Sequence, residues 1–131
     1  MSRFLSALTP LVARFLVAAL FLWSGWTKVS FPPGAASRIA ARGLPFPAPA
    51  AIAAGVLELV AGLALVLGLK TRPAASVLAG YVVVVTWLFH WGPALGGDAA
   101  QAIQVLKNGA VAGALLMLVA HGPGTASLDR G

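Results

Sequence analysis

The chain has 131 residues, of which 60% are hydrophobic and only 9% are charged, whereas soluble domains carry about 25% charged residues. This composition excludes a water-soluble globular domain, because one core of this size cannot hide so much apolar surface from water. The chain has no cysteine, which excludes disulfides, thiolate metal sites and iron–sulfur ligation. The net charge of +6 comes from Lys and Arg residues scattered between apolar blocks, so we expect a lipid bilayer as the partner and no nucleic acid.

The gaps between charged residues predict an all-α fold with four transmembrane helices. A span needs about 20 mostly apolar residues to cross the bilayer, and such blocks predict helices near 10–29, 48–69, 73–92 and 102–121. They form a single antiparallel membrane domain over residues 1–131. The first block has only 13 uncharged residues between Arg14 and Lys28, so we expect one of these bases to be buried within the helix.

Residues 35–42, between the first two spans, have two interpretations. Arg38 and Arg42 stand four residues apart, which on a helix gives one cationic face and favours a short helix in the headgroup plane. The alternative is an ordinary polar loop.

The turn at Lys70–Pro73 predicts a tight hairpin between the second and third spans, and four spans place both termini on the side of that turn. The bases divide five against four, which favours cytoplasmic termini. The five on the terminal side are Arg3, Arg14, Lys70, Arg72 and Arg130, and the four opposite are Lys28, Arg38, Arg42 and Lys107.

Glu58 is the acidic residue within the predicted spans, near the middle of the bilayer, where an ionised acid costs about 2.5–3.5 kcal/mol. It must therefore be paired, protonated or hydrated. Gly55 and Gly62 lie three and four residues away on the same helix face, which allows a close neighbour, so we expect this face to point into the bundle.

Alternating the helix directions brings five polar residues toward one membrane side, and this predicts a polar pocket. They are Lys28, Glu58, His90, Lys107 and Asn108, with Trp23, Trp26, Trp87 and Trp91 as a roof. In the functional interpretation the pocket binds a small polar or quinone-like head group. Glu58 and His90 carry protons there, and the ligand contacts come from Lys28, Lys107, Asn108, Trp26 and Trp87. In the structural interpretation Glu58 is neutralised by Lys28, Lys107 or Arg14, and the tryptophans form an interfacial belt.

Two further patterns concern packing and metals. Gly109 and Gly113 form a G-x-x-x-G motif, which favours close helix contact either inside the bundle or in a dimer. The two histidines, His90 and His121, fall at opposite membrane faces, so they cannot share a haem iron, and we expect no metal site.

A series of short motifs resembles the DoxX family of small bacterial membrane proteins. The series runs from Arg14 through Phe21–Lys28, Gly43–Pro45, Glu58–Gly62 and Leu67–Arg72 to Gly122–Asp129. The resemblance implies a four-helix inner-membrane protein in a family named for its similarity to a membrane subunit of archaeal thiosulfate:quinone oxidoreductase. By position, it also marks Arg14, Lys28, Glu58, His90 and Asn108 as residues of interest.

Two functional hypotheses follow. The first is a membrane subunit that binds a quinone non-covalently and works with a redox partner subunit, so that the chain is at most one part of a quinone-linked oxidoreductase. The second is a non-enzymatic membrane scaffold or a small permeation unit built as a homo-oligomer.

Overall fold

The computed structural model describes residues 2–129, within which the chain forms helices and no strand. The helices are α1 (Ser2–Ser30), α2 (Pro32–Ala41), α3 (Pro47–Leu67), α4 (Thr71–Thr86), α5 (Gly92–Leu95) and α6 (Ala99–His121), with a π-helical segment at Trp87–Trp91 between α4 and α5. The predicted all-α fold is confirmed.

Four continuous helical stretches of the described chain are long and apolar enough to cross a membrane: Arg3–Ser30, Pro47–Leu67, Thr71–Leu95 and Ala99–His121. The first begins well before the predicted residue 10, because the helix continues through Pro10. Proline removes one backbone hydrogen bond, a loss that membrane helices tolerate where neighbouring groups satisfy the freed carbonyl. The third extends past residue 92 because the π-helical segment carries the chain on into α5.

The four long helices form a ring in which α1 packs along α3, α3 meets α4, α4 packs along α6, and α6 returns to α1. Glycines allow the closest of these contacts. A Cβ atom at Gly25 would lie 2.7 Å from the carbonyl oxygen of Gly55, and one at Gly62 would lie 3.2 Å from Leu22 Cδ2. Lipid provides little hydrophobic driving force between helices, so such close packing holds α1 and α3 together. The predicted inward orientation of the Gly55 and Gly62 face is confirmed.

The interior of the bundle is small and the outer surface is apolar. Leu65, Leu78 and Leu115 are fully buried, whereas long aliphatic side chains such as Leu16 and Leu106 are 70% and 74% exposed. An exposed aliphatic surface of this kind suits a helix bundle surrounded by acyl chains.

Residues 32–41 form a helix where one was predicted over 35–42, so the alternative of an ordinary polar loop is wrong, while the location of this helix in the headgroup plane stays a prediction. Pro32 and Pro33 occupy the first turn of α2, where their missing N–H groups cost nothing. Ala35 of α2 is buried, and the helix packs against α3 at one end of the bundle. The helix therefore covers that end of the ring.

The glycine pair on α6 does not pack inside the bundle. A Cβ atom at Gly109 or at Gly113 would meet nothing within 4 Å among the described residues, and both glycines lie on the exposed side of α6. The intrabundle interpretation is therefore wrong. The interpretation as a contact with a second copy stays a prediction.

Candidate functional site

Buried polar groups occur at both ends of the bundle, and they are arranged differently. At one end, Arg14 of α1 is completely buried, which confirms that a base lies within the first span. Its guanidinium donates to the carbonyl oxygens of Leu65 and Val66 at 3.0 and 3.5 Å, and also to that of Ala126. The bond to Val66 O satisfies a carbonyl that the end of α3 leaves free, whereas Leu65 O also accepts from the Gly68 N–H at 3.2 Å. Arg14 therefore has a structural position and does not neutralise Glu58.

The segment 122–129 folds back over the turn between α3 and α4. Leu128 N–H donates to Leu67 O at 3.1 Å, and Asp129 N–H donates to Gly68 O at 2.8 Å. Gly68 has a φ of +65°, and a Cβ atom there would overlap Arg14 and Ser127. We call this assembly of Arg14, the turn 68–71 and the segment 122–129 the turn end.

Asp129 caps the first turn of α4 at the turn end. Its carboxylate accepts hydrogen bonds from the N–H groups of Lys70 and Thr71, at 2.7 and 3.0 Å. The hydrogen bonds from Thr71, followed by the bond from Lys70 and its charge, hold the pKa of Asp129 below its ordinary value. The carboxylate is therefore the form that stabilises this end.

Glu58 lies toward the opposite end, which we call the cavity end, and it is 2% exposed. Its Oε1 atom lies 2.7 Å from Lys28 Nζ and accepts a hydrogen bond from the Tyr81 hydroxyl at 2.5 Å. Lys28 also donates to Ser24 Oγ at 2.6 Å. Of the three bases that the sequence left open as partners of Glu58, the structure therefore selects Lys28.

Tyr81 is the contact that the sequence analysis missed. It is the single tyrosine of the chain, and it lies about as far after the turn at Lys70 as Glu58 lies before it. In a tight antiparallel hairpin, residues equidistant from the turn share a membrane depth. Together, this spacing and the phenol hydroxyl were the signal that could have found the pair.

Glu58, Lys28 and Tyr81 line a cavity of about 290 Å³ at the cavity end of the ring. Further polar side chains in its wall are Ser24, Arg38, His90, Gln104 and Asn108. Phe21 and Phe89 contribute aromatic surface. A mixed lining of this kind, with a few convergent polar groups, is typical of small-molecule sites. The structure brings together four of the five polar residues predicted for the pocket.

His90 enters the cavity from the π-helical segment. Such segments occur mostly as single turns, often at functional sites, because the wider turn redirects side chains. His90 Nδ1 lies 2.5 Å from Gln101 Oε1 of α6, and Arg42 Nη2 donates to Phe89 O at 2.9 Å. With the amide oxygen accepting, Nδ1 carries the proton, which leaves Nε2 of a neutral ring as an acceptor.

Asn108 lies in the wall between α6 and α4. Its Nδ2 donates to Thr86 Oγ1 at 2.9 Å, and Thr86 Oγ1 in turn donates to Val82 O at 2.7 Å. Asn108 therefore lines the predicted pocket and also connects α6 to the end of α4 through a hydrogen bond.

Lys107 and the tryptophans do not lie where the pocket prediction put them. Lys107 is exposed on α6 and is absent from the cavity wall. Helical geometry explains this error, because adjacent residues such as Lys107 and Asn108 point about 100° apart. Trp23, Trp26 and Trp87 are 73%, 59% and 68% exposed and form no roof. Their outward positions fit the alternative of an interfacial belt.

The described residues contain no group of three or more His, Asp or Glu side chains that could hold a metal ion. The polar chemistry of the cavity end is thus one acid, two bases, a phenol, an imidazole and amides.

The fold and the cavity define a class: an integral membrane protein of four antiparallel spans with a charged cluster inside the bilayer. The family model of DoxX matches residues 9–91, and the chain belongs to the DoxX family.

Two Escherichia coli (strain K12) proteins are similar along nearly their whole length. Identity to inner membrane protein YqjF is 36% over 121 residues, covering 92% of this chain and 88% of that protein. Identity to inner membrane protein YphA is 38% over 122 residues, covering 92% and 87%. No solved structure matches the chain. The spans and these relatives make this chain an integral inner-membrane protein.

Proposed function

We propose that the cavity end binds the head group of a quinone and that the chain serves as the quinone-facing membrane subunit of a redox complex. One observation carries the proposal. A single carboxylate oxygen of Glu58 contacts both a base, Lys28, and a phenol, Tyr81, and all three side chains line one cavity inside the bilayer. A purely structural ion pair also uses such a phenol to satisfy a carboxylate lone pair, but it does not need an open cavity beside it.

The lining of the cavity fits a quinone head group. Its carbonyl oxygens need hydrogen-bond donors, which the third N–H of Lys28, the second N–H of the Asn108 amide and the Tyr81 hydroxyl, once it turns from Glu58 to the ligand, can supply. Its flat ring needs apolar walls, which Phe21 and Phe89 provide. The volume of about 290 Å³ is at the lower limit of the ~300–1,000 Å³ typical of ligand pockets, so it suits a head group.

The same residues are arranged to move protons. A quinone, when bound, supplies an acceptor for two electrons and two protons. Glu58 in its acid form can give one proton to the reduced ring and solvent water the second, and the Lys28 charge and the Tyr81 hydroxyl then stabilise the Glu58 carboxylate. A redox partner subunit would supply the electrons.

The alternative function is a scaffold or an oligomeric permeation unit. In that account Glu58 and Lys28 are a structural pair, and removing the acid leaves a buried base without a partner, which lowers the melting temperature markedly. The two accounts therefore differ in whether a cavity variant loses its bound quinone or its thermal stability. The predicted orientation, with cytoplasmic termini, is kept in both.

The test is the amount of quinone that the purified protein carries. The wild type, Glu58→Gln and Tyr81→Phe are purified in mild detergent and extracted with organic solvent, and quinone per chain is measured beside the melting temperature. We expect stoichiometric quinone in the wild type and a large loss in both variants. Tyr81→Phe leaves the Lys28–Glu58 pair in place, and its melting temperature, measured on the same sample, separates a loss of binding from unfolding.

The control is Ser76→Ala, which removes an exposed hydroxyl that only caps Arg72 O within α4. It should keep its quinone. Quinone at the level of bulk lipid in all four proteins would contradict the proposal and favour the scaffold or permeation unit.

A further inference from the structure

A second cavity, of about 350 Å³, opens on the outer surface between α4, the π-helical segment and α6. We call it the outer groove. Its walls are mainly aliphatic and indole surfaces, among them Val83, Trp87 and Trp91, and its polar members are Thr86 and Asn108. Because it faces outward within a membrane-spanning stretch, it is filled by an apolar chain of some kind.

The outer groove lies back to back with the polar cavity. Val82 and Asn108 line both compartments, and the Asn108–Thr86 hydrogen bond runs between them. At the depth of Asn108, a single layer of side chains therefore separates the outer groove from the polar cavity. A polar compartment and an apolar compartment therefore meet at Asn108.

Gly109 gives the outer groove its depth. It lines the groove, and a Cβ atom there would meet nothing within 4 Å. Any larger side chain at this position would project into the groove without disturbing the packing of α6 on α4. The depth of the outer groove therefore requires glycine at position 109. The packing of the bundle does not require it.

We propose that the outer groove holds the apolar chain of the same ligand whose head group lies in the polar cavity, the chain crossing the wall at Asn108. This inference rests on the proposed function and names its ligand class: a long-chain, membrane-dissolved quinone. The polar cavity, at about 290 Å³, holds a head group and leaves no room for a long chain. The compartment that shares its wall is apolar and opens to the lipid.

The test compares two glycine variants over a series of quinones with one head group and increasing chain length. Gly109→Leu fills the outer groove. Gly113→Leu is the matched control, because Gly113 lies one turn further along the same face, has equally open space and is not part of the groove. Leucine favours a helix over glycine, so neither variant should unfold. The ratio of variant to wild-type Kd removes the partition of each ligand into the detergent.

We expect Gly109→Leu to bind the chainless head group like the wild type and to bind long-chain quinones roughly tenfold more weakly, because the added side chain occupies their site. Gly113→Leu should match the wild type for every ligand. A Gly109→Leu ratio that is independent of chain length would overturn the inference while leaving the head-group site intact. Absence of head-group binding to the wild type would instead defeat the proposed function itself.

The second readout is the mass of the protein in detergent. A wild-type dimer that both variants convert to a monomer would mean that a second copy of the chain occupies this face, which also overturns the inference. An unchanged mass in all three proteins, together with the chain-length effect, supports it.

Discussion

The two ends of the bundle bury charged groups in opposite ways. At the turn end, Arg14 donates only to backbone carbonyls among residues 2–129 and makes no salt bridge with them, although the charge of Asp129 acts on it. At the cavity end, Glu58 contacts the side chains of Lys28 and Tyr81 and faces open volume. A charge satisfied by main chain holds helices in place, whereas a charge satisfied by ionisable side chains beside a cavity can change its protonation state. We therefore infer that the turn end stabilises the bundle and that the cavity end holds the proposed ligand.

The largest expected effect is at the turn end. Arg14→Met removes three hydrogen bonds from a charged donor and leaves the carbonyls of Val66 and Ala126 without that donor. We expect a loss of about 3 kcal/mol in the free energy of unfolding, measured by thermal melting in detergent. Arg3→Gln, which changes an exposed base of α1, should melt like the wild type. An Arg14→Met protein that melts normally but loses its quinone would reverse the assignment of the two ends.

The next effect concerns the contact between α1 and α3. Gly25→Ala places a methyl group 2.7 Å from Gly55 O, so the helices must separate, and we expect a loss of about 1–2 kcal/mol. Because Lys28 lies one turn further along α1, the separation should also weaken its pairing with Glu58 and lower the quinone content. The control, Gly113→Ala, meets nothing and should be neutral or slightly stabilising. Equal stability of the two variants would show that close packing of α1 and α3 is not needed.

The smallest effect is the pH dependence contributed by Asp129. Its pKa is lowered in the folded state, so its stabilisation is complete above the ordinary pKa of 3.8 and is lost as the pH falls through the lower folded pKa. The melting temperature of the wild type should therefore fall between about pH 5 and pH 2, and Asp129→Asn should melt lower at neutral pH with a shallower acid dependence. Identical pH profiles for the two proteins would remove Asp129 from the turn end.

The spans could be predicted from the sequence because twenty apolar residues have few other structures available to them. Glu58 was identified for the same reason, since an acid in such a run is conspicuous. The partner of Glu58 was not predictable, because Lys28, Lys107 and Arg14 all have side chains long enough to reach inward, and only the rotation of each helix decides between them. His90 was placed in the pocket from its depth in the third span alone, because the π-helical segment that carries it has no signal in the sequence.

The positions of the tryptophans could likewise be predicted only in part. Their positions near the helix ends predict the membrane interface, but an interfacial tryptophan can face a pocket or the lipid.

The contact of Asp129 with the turn could not be predicted from the sequence for a different reason. Fifty-eight residues separate it from Thr71, and only the folded ring brings them together.

The most direct test of the central claim measures two properties, bound quinone and melting temperature, on one variant from each end of the bundle. Bound quinone per chain and melting temperature are measured for the wild type, Tyr81→Phe and Arg14→Met under one detergent condition. The account predicts that Tyr81→Phe loses its quinone at a temperature at which it is still folded, and that its melting temperature falls less than that of Arg14→Met. Arg14→Met should melt lower and keep its quinone below its melting temperature. If both variants lose the two properties together, the ends form one structural network and the separate ligand site is contradicted.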